Sequence, residues 1–202
     1  MPYRLIPGYA MKWKVRWSYE DAVEDNFIAP LRYLAHLTPE LLSNAPKQLS
    51  ATPVGREWPD MIANSSQWVV RPAVKDSIEK LEPHVHTFIP VELLSKKHAA
   101  PELFYFLRIG QAIDAVVIEK SEFVEGFGIS GFKKSPYLAP AGKTTLRAEQ
   151  ISGKHLWRGG WVSPKGDVVD RFWCDIFCSD ALRDAFVHAK FRDCRFIECD
   201  VE

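Results

Sequence analysis

The chain has 202 residues, 47% hydrophobic and 26% charged, with 26 Lys and Arg balanced by 26 Asp and Glu. That composition excludes a disordered chain, and the absence of a basic excess argues against DNA or RNA as partners, because nonspecific phosphate binding needs net positive charge. The opening stretch, interrupted by Pro7, Gly8, Lys12 and Lys14, lacks a signal-peptide core, and no apolar run approaches the roughly 20 residues of a membrane span. The chain is therefore expected to be soluble and cytoplasmic, with no membrane partner.

In chain order, Met11, Trp13, Val15 and Trp17 alternate with Lys12, Lys14 and Arg16, the period-2 pattern of a strand with one apolar and one basic face. Tyr19 to Asn26 and Pro39 to Leu42 read as short helices, and Asn44 to Ser66, with Pro46, Pro53, Gly55 and Pro59, reads as irregular connection. Gln67 to Val70 is a short strand. Pro72 then opens a helix whose Val74, Ile78 and Leu81 share a face, and Pro83 stops it. Val85 to Leu93 is extended, and the run Leu103 to Ile109 is apolar enough for a strand buried on both faces.

Gly126 to Gly142 reads as a loop or loose hairpin, followed by short strands at Thr145 to Glu149 and His155 to Trp161. Ser163 to Asp167 is a turn signal before a strand from Arg171 to Cys178. Ser179 is placed to cap a helix with Asp180 in its first turn and His188 and Lys190 near its end, burying Leu182, Ala185, Phe186 and Ala189. A last strand runs from Cys194 to Val201. The order strand, helix, strand thus occurs twice, over Gln67 to Leu93 and Arg171 to Val201, as in a degenerate repeat. The expected fold class is α+β, a mixed, largely antiparallel sheet with a few short helices packed on it. Residues 1–66 form an N-terminal strand, short helices and Pro-rich connection, and residues 67–202 an α+β domain, the two being either separate or continuous.

Motifs of catalysis are scarce. Gly126, Gly128 and Gly131 match a dinucleotide-binding spacing, but the charged segment before them and Lys133, Lys134 and Pro136 after them do not provide the required strand and helix. The cysteines Cys174, Cys178, Cys194 and Cys199 invite zinc, yet on a strand Cys174 and Cys178 stand about 13 Å apart, whereas thiolates on one zinc lie within about 4 Å. No metal or cofactor is expected, and the thiols read as small buried apolar groups. His84 and His86, placed on one strand face, lack a third ligand. Asp114, Glu119 and Glu122, with His155, are the carboxylates an acid–base enzyme would have to gather.

Binding features are more evident. Glu20, Asp21, Glu24 and Asp25 pair one helical turn apart into an acidic face, and Trp58 in a Pro-rich loop and Trp157 and Trp161 around a diglycine are interface-anchor candidates.

From Trp68 onward, the stretches KDSIEKLEPHVHTFIPVEL, LFYFLRIGQAIDAVVIEKS with Asp114 and Ser121, ISGKHLWRG and DIFCSDALRDAFVHAKFRDCRFIE follow the order of a bacterial family, and the chain resembles immunity protein family eleven. The resemblance implies a non-enzymatic protein of a polymorphic-toxin system that binds a cognate toxin encoded nearby and blocks its working surface. Glu20, Asp21, Glu24, Asp25, Trp58, Trp157 and Trp161 are then the expected toxin-binding residues. Two other readings stand beside it: a small hydrolase or transferase using carboxylates, and a non-catalytic adaptor module.

Overall fold

The computed structural model describes residues 1–7, 13–14, 38–50, 52–53, 58–64, 67–94, 99–125, 136–138, 142–162, 168–192 and 194–202. In chain order the elements are strands β1 (Pro2–Pro7) and β2 (Trp13–Lys14), helix α1 (Pro39–Ser43), strands β3 (Gln48–Ser50), β4 (Thr52–Pro53), β5 (Met61–Asn64) and β6 (Gln67–Val70), and helix α2 (Pro72–Leu81). Strands β7 (Thr87–Leu94), β8 (Phe104–Arg108) and β9 (Ala112–Ile113), a 3-10 turn (Ile118–Lys120), and strands β10 (Phe123–Glu125), β11 (Pro136–Leu138) and β12 (Thr145–Leu146) follow. The remainder is helix α3 (Ala148–Ile151), strands β13 (Leu156–Val162) and β14 (Val168–Ser179), helix α4 (Asp180–His188), and strands β15 (Cys194–Glu198) and β16 (Asp200–Val201).

Two five-stranded sheets carry the fold, ordered β15-β1-β14-β13-β9 and β3-β7-β8-β6-β5. Their pairings are antiparallel except β3 with β7 and β13 with β9, so the class is α+β with mostly antiparallel sheets. The twice-occurring order of strand, helix and strand folds the same way both times. In one half the hairpin β5–β6 leads through α2 to β7, and β8 fills the slot between β6 and β7, antiparallel to both. In the other half the hairpin β13–β14 leads through α4 to β15, and β1, from the opposite end of the chain, fills the slot between β14 and β15, again antiparallel to both. Each is a split strand-helix-strand unit, in which the helical crossover leaves room for one strand between the two it joins. Strands from both sides of residue 66 thus pair in both sheets.

The units share one core. Tyr3, Leu5, Ile176 and Cys178 from one sheet, Met61, Trp68, Val70 and Leu107 from the other, and Val74, Ile78, Leu182 and Phe186 from the two helices form a single buried cluster. Strand β8 is buried on both faces as its apolar run requires, with Phe104 and Phe106 facing a second cluster that includes Trp58, Ile62 and Val69, and Leu107 facing the shared core. A third cluster, including Val116, Leu146, Trp157, Phe177 and Cys199, lies on the other face of the first sheet.

Local signals set the two long helices. Helix α2 has Pro at its first position, buries Val74 and Ile78, and ends where Pro83 follows. In α4 the Ser179 hydroxyl accepts the Leu182 N–H at 3.3 Å. Its far end closes with Lys190 at φ 57, the Lys190 N–H on Val187 O at 3.0 Å and the Phe191 N–H on Phe186 O at 3.1 Å. That is the paired bond pattern of a left-handed helix terminus, completed by the edge-on contact of Phe186 and Phe191 at 5.2 Å.

Several expectations are corrected. Asn44 to Ser66 is not wholly irregular: β3 and β5 form there because β7 and β6 offer ladder partners, which local Pro and Gly signals do not register. The strand expected to run to Glu149 stops at Leu146, whose backbone pairs with Val201 and Val116, and α3 begins at Ala148. Val85 lies in a turn ahead of β7, so His84 and His86 do not share a strand face. Ala189 is exposed as the C-cap of α4 rather than buried. The helix expected at Tyr19 to Asn26 and the glycine segment Gly126 to Gly131 lie outside the described residues. Among the described residues no helix is long and apolar enough to cross a membrane.

Candidate functional site

The densest polar constellation sits where the two units meet and is organised by Glu82. Pro83 ends α2, and Glu82, the C-cap residue at φ -134 and ψ 71, turns its side chain inward, where the residue is 6% exposed. Its Oε1 accepts the Gln111 side-chain amide at 2.8 Å and the His155 backbone N–H at 2.9 Å. Its Oε2 accepts His86 Nε2 and the Leu156 backbone N–H, both at 2.8 Å. Four donors fill the acceptor capacity of a carboxylate. Burial alone would raise its pKa, but the bonds from His86, the His155 N–H and Gln111 outweigh burial and hold it at about 2.

His86, equally buried, is fixed from both ends. Its Nδ1 accepts the Gly110 N–H at 3.2 Å, which places the ring proton on Nε2, facing Glu82. Gly110 is required here, since a Cβ at that position would stand 1.9 Å from the Val85 carbonyl oxygen. Beside the junction, His155 Nδ1 lies 2.8 Å from Ser179 Oγ. The pair resembles a nucleophile and its base, but Ser179 Oγ is engaged as the cap of α4, and the carboxylate of Glu82 meets the backbone of His155 rather than its ring. The arrangement ties α2, β13 and α4 together and leaves Glu82 no lone pair for a substrate.

A second buried pair joins β1 to β14, Arg4 Nη2 to Asp175 Oδ1 at 2.6 Å, where burial pushes the carboxyl up to about 6 despite the attraction of Arg4. A third acidic centre, Asp60, accepts the Arg192 backbone N–H at 2.8 Å and Arg71 Nη1 at 3.2 Å. None of these was marked by sequence spacing, because each takes at least one partner from a segment far along the chain: His155 and Leu156 for Glu82, Arg4 for Asp175, Arg192 for Asp60.

The residues expected to contact a toxin fare differently. Trp58 is 5% exposed, packed with Ile62, Val69 and Phe104, and Trp157 is 1% exposed, stacked on Phe177 at 6.0 Å. Neither is presented as a surface anchor: each ring is covered by a hydrophobic cluster, Trp58 from the segment ahead of β5 and Trp157 from β13, so burial of a large aromatic overrides the loop-like sequence around it. Trp161 lies in β13, with its side chain outside the described residues, as are Glu20, Asp21, Glu24 and Asp25. Glu119 and Glu122 are exposed and Asp114 is half-buried, and among the described residues no three His, Cys, Asp or Glu side chains converge on a metal-sized site. Cys178 and Cys199 are free thiols, burial pushing Cys178 well up and Cys199 up to about 12.

An open cleft of about 340 Å³ lies elsewhere, lined by residues that include Glu92, Ala100, Glu102 and Leu103. Its carboxylates are engaged, Glu92 by the Gln48 amide at 2.9 Å and Glu102 by Arg71. Among the described residues, neither this cleft nor the Glu82 junction brings a nucleophile, a base and a stabilising donor to one point.

No curated protein matches the chain. The model of the immunity protein family Imm11 matches residues 19–201, a span that begins well before Trp68 and takes in α2, α4 and all strands of both sheets except β1. By a match over most of its length, the chain belongs to the Imm11 immunity protein family.

Proposed function

We propose that this immunity protein neutralises a cognate toxin, encoded beside it, by binding the toxin in the cytoplasm and covering its working surface without catalysing a reaction. Family membership carries an immunity function in general, and the match over residues 19–201 is the observation that supports the reading most directly. The saturated carboxylate of Glu82 and the capping role of Ser179 agree with a scaffold rather than a reaction centre. The acidic face of Glu20, Asp21, Glu24 and Asp25 stays in the proposal as a steering surface, with Trp161 as a contact. Trp58 and Trp157 leave it, because both are buried.

Co-expression tests the proposal. The product of the adjacent gene should arrest growth when expressed alone, and this chain should restore growth and co-purify with that product. If the product is toxic and this chain neither binds it nor restores growth, the reading fails.

A further inference from the structure

The turn between α2 and β7 is exposed at Pro83, His84 and Val85, yet it is anchored on both sides. Before it, Glu82 is held by four hydrogen bonds, and after it His86 is held between Glu82 and the Gly110 N–H. His84 adopts φ 62, a left-handed conformation unusual for a residue with a side chain, and the Val85 carbonyl is packed so closely that only glycine fits at position 110. Exposed loops usually carry few such restraints. This one presents an apolar side chain, Val85 at 39% exposure, on a backbone held on both sides by these contacts. A contact surface ordered in advance loses less freedom on binding.

Two lysines flank the turn. Lys80 lies in the last turn of α2, one helical turn before His84, and Lys154 immediately precedes His155, whose N–H is bonded to Glu82. Both lysines are exposed, and among the described residues neither forms an ion pair, whereas the exposed Lys120 and Lys143 are matched by Glu202 and Asp200. Glu82, between Lys80 and the turn in sequence, is buried and committed, and the α2 carboxylates Asp76 and Glu79 pair with Lys75.

We propose that the turn Pro83 to Val85 is a preorganised contact point that enters an acid-lined recess of the toxin, with Val85 as its apolar tip and Lys80, His84 and Lys154 facing carboxylates. The inference rests on the immunity reading above and names the surface that serves it.

The test is titration calorimetry with the purified toxin domain encoded beside this chain, using wild type, Val85→Asp, and the double variant Lys80→Glu with Lys154→Glu. All three positions are exposed, so denaturation midpoints should stay at the wild-type value. Val85→Asp should weaken binding at least about 30-fold, in the range of a central contact. The double variant should weaken it at least about 10-fold, by a factor that shrinks as salt is raised. If wild type binds and both variants bind within about threefold of it, the contact point is refuted while the immunity reading stands. If wild type itself does not bind, the immunity reading fails and this inference fails with it. Should Val85→Asp alone lower the midpoint, the double variant decides: unchanged binding refutes the proposal, and salt-dependent weakening supports it.

Discussion

Glu82→Gln tests the junction on which the two units meet. The substitution keeps shape but replaces one oxygen by an NH2 group, and each oxygen of Glu82 faces two donors, Gln111 and the His155 N–H on one, His86 and the Leu156 N–H on the other. Whichever way the amide turns, two donors meet a donor, and the other two lose the charge on their acceptor. With charge-assisted bonds contributing about 1.5 to 3 kcal/mol each, the loss of two gives about 3 to 6 kcal/mol of destabilisation. The depressed pKa expresses the same bonds as a pH dependence. A carboxyl held at about 2 against an ordinary 4.5 is linked to about 3 kcal/mol. Because the folded value is depressed, this stability is present in full above about pH 4.5 and is lost as pH falls through 2, about 2 kcal/mol of it being gone by pH 3. Urea unfolding of wild type and variant at pH 7 and pH 3 should therefore show a gap of at least about 3 kcal/mol that narrows by about 2 kcal/mol in acid. A gap under about 1 kcal/mol at pH 7, or one that does not change with pH, would refute the view of Glu82 as an ionised and fully bonded centre.

Lys190→Gly should stabilise the chain by up to about 1 kcal/mol, since φ 57 at the end of α4 suits glycine and the Lys190 side chain is exposed; a lower thermal midpoint would contradict this. Phe186→Ala should cost about 3 to 5 kcal/mol in denaturant melts, because Phe186 is fully buried in edge-on contact with Phe191 and Phe196, and a neutral result would mean that the buried face of α4 is misassigned. Asp175, raised from 3.8 to about 6, favours folding when protonated, so its contribution is whole below about pH 4 and is lost as pH rises through 6. The stability of Asp175→Asn relative to wild type should accordingly improve by about 2 kcal/mol between pH 4 and pH 7, and a relative stability that is flat or moves the other way across that range would overturn the assignment.

What was legible in the sequence was local. The Ser179 cap, the Pro72 start and Pro83 stop of α2, the apolar run of β8 and the recurring order of strand, helix and strand each depend on residues within a few positions of one another, where backbone sterics and hydrophobic period act directly. The family resemblance also rested on ordered local stretches, and the match over residues 19–201 extended it toward the N-terminus. Tertiary structure decided what depends on contacts between distant segments. Three of the four donors to Glu82 come from residues 111, 155 and 156, so the sequence around it shows only a helix end and a nearby histidine. The slot between β14 and β15 is filled by β1, nearly the whole chain away, because an open ladder must pair its backbone groups wherever a strand can be found. Trp58 and Trp157 became core residues for the same reason: whether a ring is buried is set by what packs against it, and for both that includes segments tens of residues away, Phe104 and Phe106 for Trp58 and Val116 and Cys199 for Trp157.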